Sequence, residues 1–275
     1  MHGAVSASLD VTSTRTSRKK RVQSERATGG AGVIEIAVDI RPVPEADVAP
    51  SAALELGEVL PRERSELLCR VVNASIAVVA LICLVPVMML IALAVRLTSS
   101  GPIFYAQTRV GVDRRSRQNK ADDRRGYDAG GKPFVMYKFR TMRVNAEADG
   151  RAVWASRKDP RVTPVGGLLR RTRLDELPQL YNVVRGEMNI VGPRPERPAI
   201  FADLRRTIPE YPLRQRVKPG ITGWAQINQA YDACVEDVRR KVQYDLEYVK
   251  RQGLIEDLRI MAMTLPVMMF RRGGW

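Results

Sequence analysis

The stretch Val71–Val95 runs for 25 residues without a charged side chain, between Arg70 and Arg96. As a helix it is long enough to span the hydrocarbon core of a bilayer, for which about 20 apolar residues suffice. A buried core helix can be equally apolar, but a run of this length points to membrane contact. Pro86 lies near its middle, where it removes a helical hydrogen bond and bends the axis. The basic flanks are balanced, with Arg62, Arg64 and Arg70 before the run and Arg96, Arg109, Arg114 and Arg115 after it. A crossing helix normally has more Lys and Arg on its cytoplasmic side. The balance predicts a helix that enters the membrane, bends at Pro86 and leaves on the side it entered. A plain transmembrane crossing is the alternative.

Charge is distributed unevenly around this segment. The net charge is +15, yet residues 1–70 carry ten Lys/Arg against ten Asp/Glu. The excess comes from the C-terminal part, which holds 35 basic and 20 acidic residues. A globular region this basic is suited to phosphates, whether on a membrane surface, a nucleic acid or a phosphorylated substrate. The only histidine, His2, stands at the start of the chain, which excludes histidine-based acid–base or metal chemistry. Cys69, Cys83 and Cys234 are too few and too scattered for a disulfide framework or a zinc pair. Any chemistry must therefore come from carboxylates, Lys, Arg or hydroxyls.

Residues 1–65 are rich in small and polar residues, and the first aromatic residue is Phe104. They are expected to form a disordered tail, because little apolar surface is available to offset the entropy of ordering. Residues 66–98 are assigned to the membrane helix and 99–275 to a globular domain. Within that domain residues 113–132 read as a polar loop and 134–139 as a strand. Residues 166–173 and 178–184 read as two helices separated by a break. Residues 236–251 read as an amphipathic helix with Val238, Val242, Leu246 and Val249 on one face, stopped by Gly253. Leu254, Leu258, Met261, Leu265, Met268 and Met269 recur at helical spacing near the end. That stripe is compatible with a core helix or with one lying in the membrane interface.

The break between the two central helices holds the chemistry. Asp175 and Glu176 are adjacent carboxylates three residues ahead of Pro178, with Arg170, Arg171 and Arg173 just upstream. A helix starting there would offer free amides and a positive dipole end to a diphosphate. The guanidinium groups match phosphate oxygens in a bidentate fork. They are also expected to lower the carboxylate pKa values and hold Asp175 ionised as a nucleophile. An acidic capping turn beside arginines is the ordinary structural alternative. GPRP at 192–195 forms a stiff turn projecting Arg194. In KPFVMYKFRTM, residues 132–142, an extended backbone puts Lys138 and Arg140 on one face. VKPGITGWAQIN, residues 217–228, carries Trp224 as a substrate rim or a buried loop anchor.

YKFRTM, LDELPQLYNVVRGEMNIVGPRPERP and VKPGITGWAQIN, in this order and spacing, resemble the bacterial sugar transferases, the monotopic polyprenyl-phosphate phosphoglycosyl transferases. The resemblance covers roughly residues 66–275 and fits the small form. It implies an α+β, mostly helical, membrane-associated catalytic domain with a re-entrant helix kinked at Pro86 and a C-terminal interfacial amphipathic helix. It further implies that Asp175 attacks the β-phosphate of a UDP-sugar, expels UMP and holds the phosphosugar as an acyl phosphate until polyprenyl phosphate takes it. Mg²⁺ would neutralise the diphosphate with Glu176 as protein ligand. Arg140, Arg170 and Arg194 fall on phosphate-binding positions, and Lys138 joins them as a substrate-binding candidate.

The implied setting is the cytoplasmic face of the bacterial inner membrane, at the first membrane step of exopolysaccharide, O-antigen or glycoconjugate synthesis. UDP-sugar, polyprenyl phosphate and the membrane are the partners, and nucleic acid is not. A homo-oligomer or a glycan-assembly partner remains open. The family commonly has Ser-Pro at the kink, where this chain has Val85-Pro86. A non-catalytic membrane scaffold and a membrane-tethered nucleic-acid binder are the rival readings. The first would not need the Asp175-Glu176 pair, and the second would leave it unexplained.

Overall fold

A computed structural model describes residues 33–35, 59–113, 130–144, 146, 159–229 and 235–270. The long apolar run lies inside helix α1, Glu66–Thr98, which continues through Pro86. Ser65 starts it by accepting a hydrogen bond from the Leu68 amide, with Glu66 in the first turn and Arg96 in the last. These charges complement the helix dipole. One narrow stripe of α1, marked by Asn73, Ala77, Ile91 and Val95, is buried. The remainder is half-buried or exposed and largely apolar, with Val79, Ile82, Met89 and Leu90 among the exposed side chains. Among the described residues, α1 is the one helix long and apolar enough to cross a membrane.

The globular part is mostly helical α+β. Strand β1 (Val33–Glu35) pairs in parallel with β2 (Phe104–Val110), which pairs antiparallel with β3 (Pro133–Phe139). The register sets Tyr105 opposite Lys138 and Arg109 opposite Phe134. Helices α2 (Pro164–Thr172) and α3 (Gln179–Arg185) follow, joined through a 3₁₀ turn at Leu174–Glu176. Next come β4 (Asn189–Val191), α4 (Pro198–Thr207), a 3₁₀ helix at Tyr211–Arg216, and β5 (Gly220–Thr222), which pairs in parallel with β4. The short α5 (Trp224–Asn228) and two long helices, α6 (Val235–Arg251) and α7 (Leu254–Phe270), complete the order.

Two apolar clusters hold α1 to this body. Ala77 packs with Phe134, Met136, Val183 and Met188, while Ile91 and Val95 pack with Phe139 and Leu169. Polar ties reinforce the first. The Ile190 amide donates to Asn73 Oδ1 at 2.7 Å, and Arg70 donates to the carbonyls of Val183 and Val184. Arg70 thereby satisfies carbonyls at the C-terminus of α3, where Gly186 takes the left-handed conformation (φ 79°) that ends such a helix.

Several expectations hold. The strand at 134–139 is β3, the central helix–break–helix is α2 and α3, and 236–251 is α6. In α6 Val238, Val242 and Val249 are buried, and Leu246 packs beside them. Of the C-terminal stripe, Leu254, Leu258 and Leu265 are exposed and Met261 packs on the core beside Ile260, while the side chains of Met268 and Met269 lie outside the described residues. The tail boundary moves. Val33–Glu35 forms a strand, and residues 59–65 are tied down by Arg216 to the Val59 carbonyl, by the Arg62 amide to Val249 and by Arg64 to Asp257. The rest of the tail, and loop residues 114–129, lie outside the described residues.

Helix α2 fixes the placement of the break. Thr163 caps it by accepting from the Gly166 amide at 3.0 Å, and Pro164 sits in its first turn, where no amide is needed. Gly166 lies against the chain after β3: a Cβ there would fall 2.0 Å from the Thr141 carbonyl oxygen. Gly166→Ala is therefore expected to destabilise the fold by about 1–3 kcal/mol through forced backbone displacement. Chemical denaturation of the detergent-solubilised variant beside Gly167→Ala, whose Cβ meets nothing closer than 3.9 Å, measures the difference.

Candidate active site

The carboxylate pair sits where the chain changes direction. Helix α2 ends at Arg173, which has φ 56° and ψ 16° and is the one non-glycine residue at positive φ among the described residues. A side chain in this region costs on the order of 1–3 kcal/mol, and such strain concentrates at functional sites. The amides of Arg173 and Glu176 close the turn on the carbonyls of Arg170 and Arg173. The reversal tucks Asp175 and Glu176 inward against β3. Both are buried, at 7% and 6% exposure.

Glu176 is held between two cations. Lys138 Nζ donates to Oε1 at 2.9 Å, Arg194 Nη2 donates to the same oxygen at 2.6 Å, and Arg194 Nη1 reaches Oε2 at 3.3 Å. Burial pushes its pKa up, but Arg194 and Lys138 outweigh burial and hold it well below the usual carboxylate range. Asp175 differs. Burial raises its pKa, the Lys138 charge offsets part of that, and the Glu176 charge adds to it. The expectation that arginines lower both pKa values thus holds for Glu176 and fails for Asp175. The cations bond to Glu176, while among the described residues none donates a hydrogen bond to the Asp175 carboxylate. Adjacent carboxylates whose environments push their pKa values apart are a familiar division of chemical roles.

The other candidates separate. Arg170 Nε donates to Thr141 Oγ1 at 3.0 Å, and its charge reaches Asp175. Arg173 lies close enough to both carboxylates to interact electrostatically. Arg140 instead donates to the Ser99 carbonyl and hydroxyl at the C-terminus of α1 and makes no bond to either carboxylate. Lys138 and Arg140 do not share a strand face, because β3 ends at Phe139. Trp224 acts as an anchor: its indole donates to Glu247 at 2.8 Å and its ring packs against the buried cluster that includes Val217, Ile227, Val249 and Ile260.

Residues on β2 were missed by reading the sequence. Tyr105, Gln107 and Arg109 alternate along that strand, and the Lys138 ammonium feels the charge of Arg109. Gln107 Nε2 donates to the Tyr105 hydroxyl at 2.9 Å, and Arg109 Nη2 donates to Gln107 Oε1 at 2.7 Å. The period-two polar pattern in FYAQTRV was the available signal.

Among the described residues no group of three or more His, Cys, Asp or Glu side chains gathers to hold a metal. Two adjacent carboxylates still fit a Mg²⁺ ion that draws most of its ligands from substrate phosphates and water. Glu176 Oε1 faces two cations and Oε2 accepts a longer bond from Arg194, so Glu176 would reach a metal through Oε2 only by loosening that bond, beside the Asp175 carboxylate.

Glu176→Gln leaves Lys138 and Arg194 without their buried anion, a loss on the order of 3 kcal/mol near neutral pH. The sign follows from linkage. A carboxylate whose folded pKa is depressed contributes stability above its ordinary pKa of 4.5, and that stability is lost as pH falls through the folded value. The gap between wild type and Glu176→Gln is expected to stay constant from neutral pH to about 5 and to close only well below it. Urea unfolding across that range, in detergent, reads the gap directly.

The family model for bacterial sugar transferases matches residues 64–271. A UDP-glucose:undecaprenyl-phosphate glucose-1-phosphate transferase of Escherichia coli is 42% identical over 203 residues, covering 73% of this chain and 40% of the relative. A UDP-N-acetylgalactosamine-undecaprenyl-phosphate N-acetylgalactosaminephosphotransferase of Aeromonas hydrophila is 37% identical, over 77% of this chain and 46% of its own length. A UDP-glucose:undecaprenyl-phosphate glucose-1-phosphate transferase of Caulobacter vibrioides is 37% identical over 225 residues, with 80% of this chain and 78% of the relative covered. The chain thus spans less than half the length of the first two. With three quarters of its residues inside one family model, the chain belongs to the bacterial sugar transferases.

Proposed function

We propose that this chain transfers a sugar-1-phosphate from a UDP-sugar to a polyprenyl phosphate such as undecaprenyl phosphate, releasing UMP and forming a polyprenyl-diphospho-sugar. The observation that carries the reading is the buried Asp175-Glu176 turn, in which Glu176 is clamped by Lys138 and Arg194 and Asp175 carries no such bond. The relatives named for this reaction on UDP-glucose or UDP-N-acetylgalactosamine support it.

In the first half-reaction an Asp175 oxygen attacks the β-phosphorus. The bond from that phosphorus to the bridging oxygen breaks, and the bridging electron pair leaves with UMP. The sugar phosphate stays on Asp175 as an acyl phosphate. A phosphate oxygen of the polyprenyl carrier then attacks the same phosphorus and restores the carboxylate. Lys138, Arg194 and Arg170 supply positive charge where the diphosphate would lie, and Arg173 adds to that field. Arg140, bonded to Ser99, would have to turn to join them. Mg²⁺ held by Glu176 and Asp175 would neutralise charge on the diphosphate.

We also propose that α1 is re-entrant, bent at Pro86, with α7 lying in the interface on the cytoplasmic face of the inner membrane. Both halves of α1 pack on the same globular body, Ala77 on one side of Pro86 and Ile91 with Val95 on the other. Attachment of both halves to one body supports entry and exit on the same side of a bilayer. The exposed Ile255, Leu258 and Leu265 give α7 an apolar face of its own. A carrier lipid keeps its phosphate at the interface, where these helices would hold the carboxylates.

Two experiments test these readings. Purified protein with Mg²⁺, polyprenyl phosphate and a panel of UDP-sugars is expected to release UMP with at least one donor. Asp175→Asn should reduce release by about 10⁴-fold or more, the scale seen when a nucleophile is removed. Equal release from the variant would mean that Asp175 is not the nucleophile, and no release with any donor would favour a scaffold role. For topology, single cysteines at Leu67 and Leu97, both exposed, are placed in a cysteine-free background and labelled with an impermeant maleimide. The re-entrant helix requires labelling of both from the cytoplasmic side alone; labelling from opposite sides would establish a crossing helix.

A further inference from the structure

The turn that presents Arg194 is pinned through four consecutive carbonyls, Pro193 to Glu196. It contains Pro193 and Pro195, which have no amide hydrogen, so it contributes few donors of its own. The carbonyls from Pro193 to Glu196 nevertheless find partners. The Pro193 carbonyl accepts from the Gly220 amide at 3.0 Å and the Glu196 carbonyl from the Val110 amide at 2.9 Å. Between them, the Arg194 carbonyl accepts from Arg214 Nη2 at 3.0 Å and the Pro195 carbonyl from Arg109 Nη1 at 3.1 Å. Two arginines from separate elements thus grip consecutive peptide groups.

Each gripping arginine is itself fixed. Arg109 also bonds Glu196 Oε1 at 3.2 Å and Gln107 Oε1 at 2.7 Å. Arg214, with no exposed side-chain surface, pairs with Asp245 at 2.6 Å and donates to the Tyr211 hydroxyl at 2.7 Å. Satisfying a carbonyl ordinarily takes an amide or a water, whereas burying a guanidinium there strips it of its hydration. The arrangement is economical if the direction of the Arg194 side chain matters, because the 2.6 Å contact to Glu176 tolerates little drift.

We propose that Arg109 and Arg214 are positioning residues that aim Arg194 at Glu176 and at the diphosphate beside it. The inference rests on the sugar-phosphate transfer reading above. Neither arginine touches the reacting atoms; both act through the carbonyls of the turn. Displacing a catalytic group by about 1 Å can cost a hundredfold in rate, so a loosened turn slows chemistry without unfolding the protein.

The test measures the burst of UMP released with Mg²⁺ and without polyprenyl phosphate, using the UDP-sugar turned over by the wild-type chain. The amplitude counts competent molecules and the rate constant reports the first half-reaction. Arg109→Gln is expected to retain the amplitude and lower the rate constant by roughly tenfold to a hundredfold, with Arg109→Lys in between. In an Arg194→Ala background the same change should cost less than about twofold, because the group being aimed is gone. Glu196→Gln, a milder loosening of the Arg109 anchor, should show the same direction and the same dependence on Arg194. A full effect of either change in the Arg194→Ala background, or a fall in amplitude at unchanged rate constant, overturns the inference and leaves the transfer reading standing. A wild-type chain that releases no UMP overturns both.

Discussion

The site depends on one buried anion. Glu176 has lost nearly all contact with water, and a carboxylate in that position is tenable only when its lost hydration is replaced. Lys138 from β3 and Arg194 from the GPRP turn replace it, drawing together segments 38 and 18 residues away along the chain. Because Glu176 takes up both cations, its neighbour is buried and partly charge-balanced, and among the described residues no side chain donates a hydrogen bond to it. A carboxylate intended as a nucleophile needs those conditions: lone pairs that are not engaged and nearby positive charge to receive phosphate.

Around this centre α1 serves as a structural element of the globular body. Arg70 holds the far end of α3, whose near end follows the carboxylate turn, and Asn73 holds the edge of β4, which leads into the GPRP turn. Ser99, just past the other end of α1, holds Arg140. The elements bearing the site are therefore attached to the segment proposed to set its depth in the bilayer. This gives a physical route by which chemistry on a lipid-borne phosphate stays at the interface.

Much of this was legible in the sequence because it is local. A 25-residue charge-free run, a proline just after two carboxylates and a 3.6-residue apolar period in α6 each express a short-range rule. The misses are non-local. The left-handed conformation of Arg173 has no glycine or asparagine to signal it and persists only because the surrounding turn enforces it. β2 was passed over although FYAQTRV alternates, since its polar face looks solvent-directed until Lys138 is found beside it. The pKa of Asp175 went the wrong way because charge can be counted along a chain whereas burial cannot. The roles of Arg109 and Arg214 depend on which carbonyls they meet in space, which no spacing rule encodes.

The claim on which the account rests is that Asp175 carries the phosphosugar covalently between donor and acceptor. Isotope exchange tests it most directly. Labelled UMP is incubated with the unlabelled UDP-sugar donor, Mg²⁺ and protein, with polyprenyl phosphate rigorously excluded. A covalent intermediate requires label to enter the UDP-sugar in wild type and not in Asp175→Asn. Absence of exchange from a protein that transfers sugar phosphate once the lipid is added would establish direct displacement and contradict the assignment of Asp175.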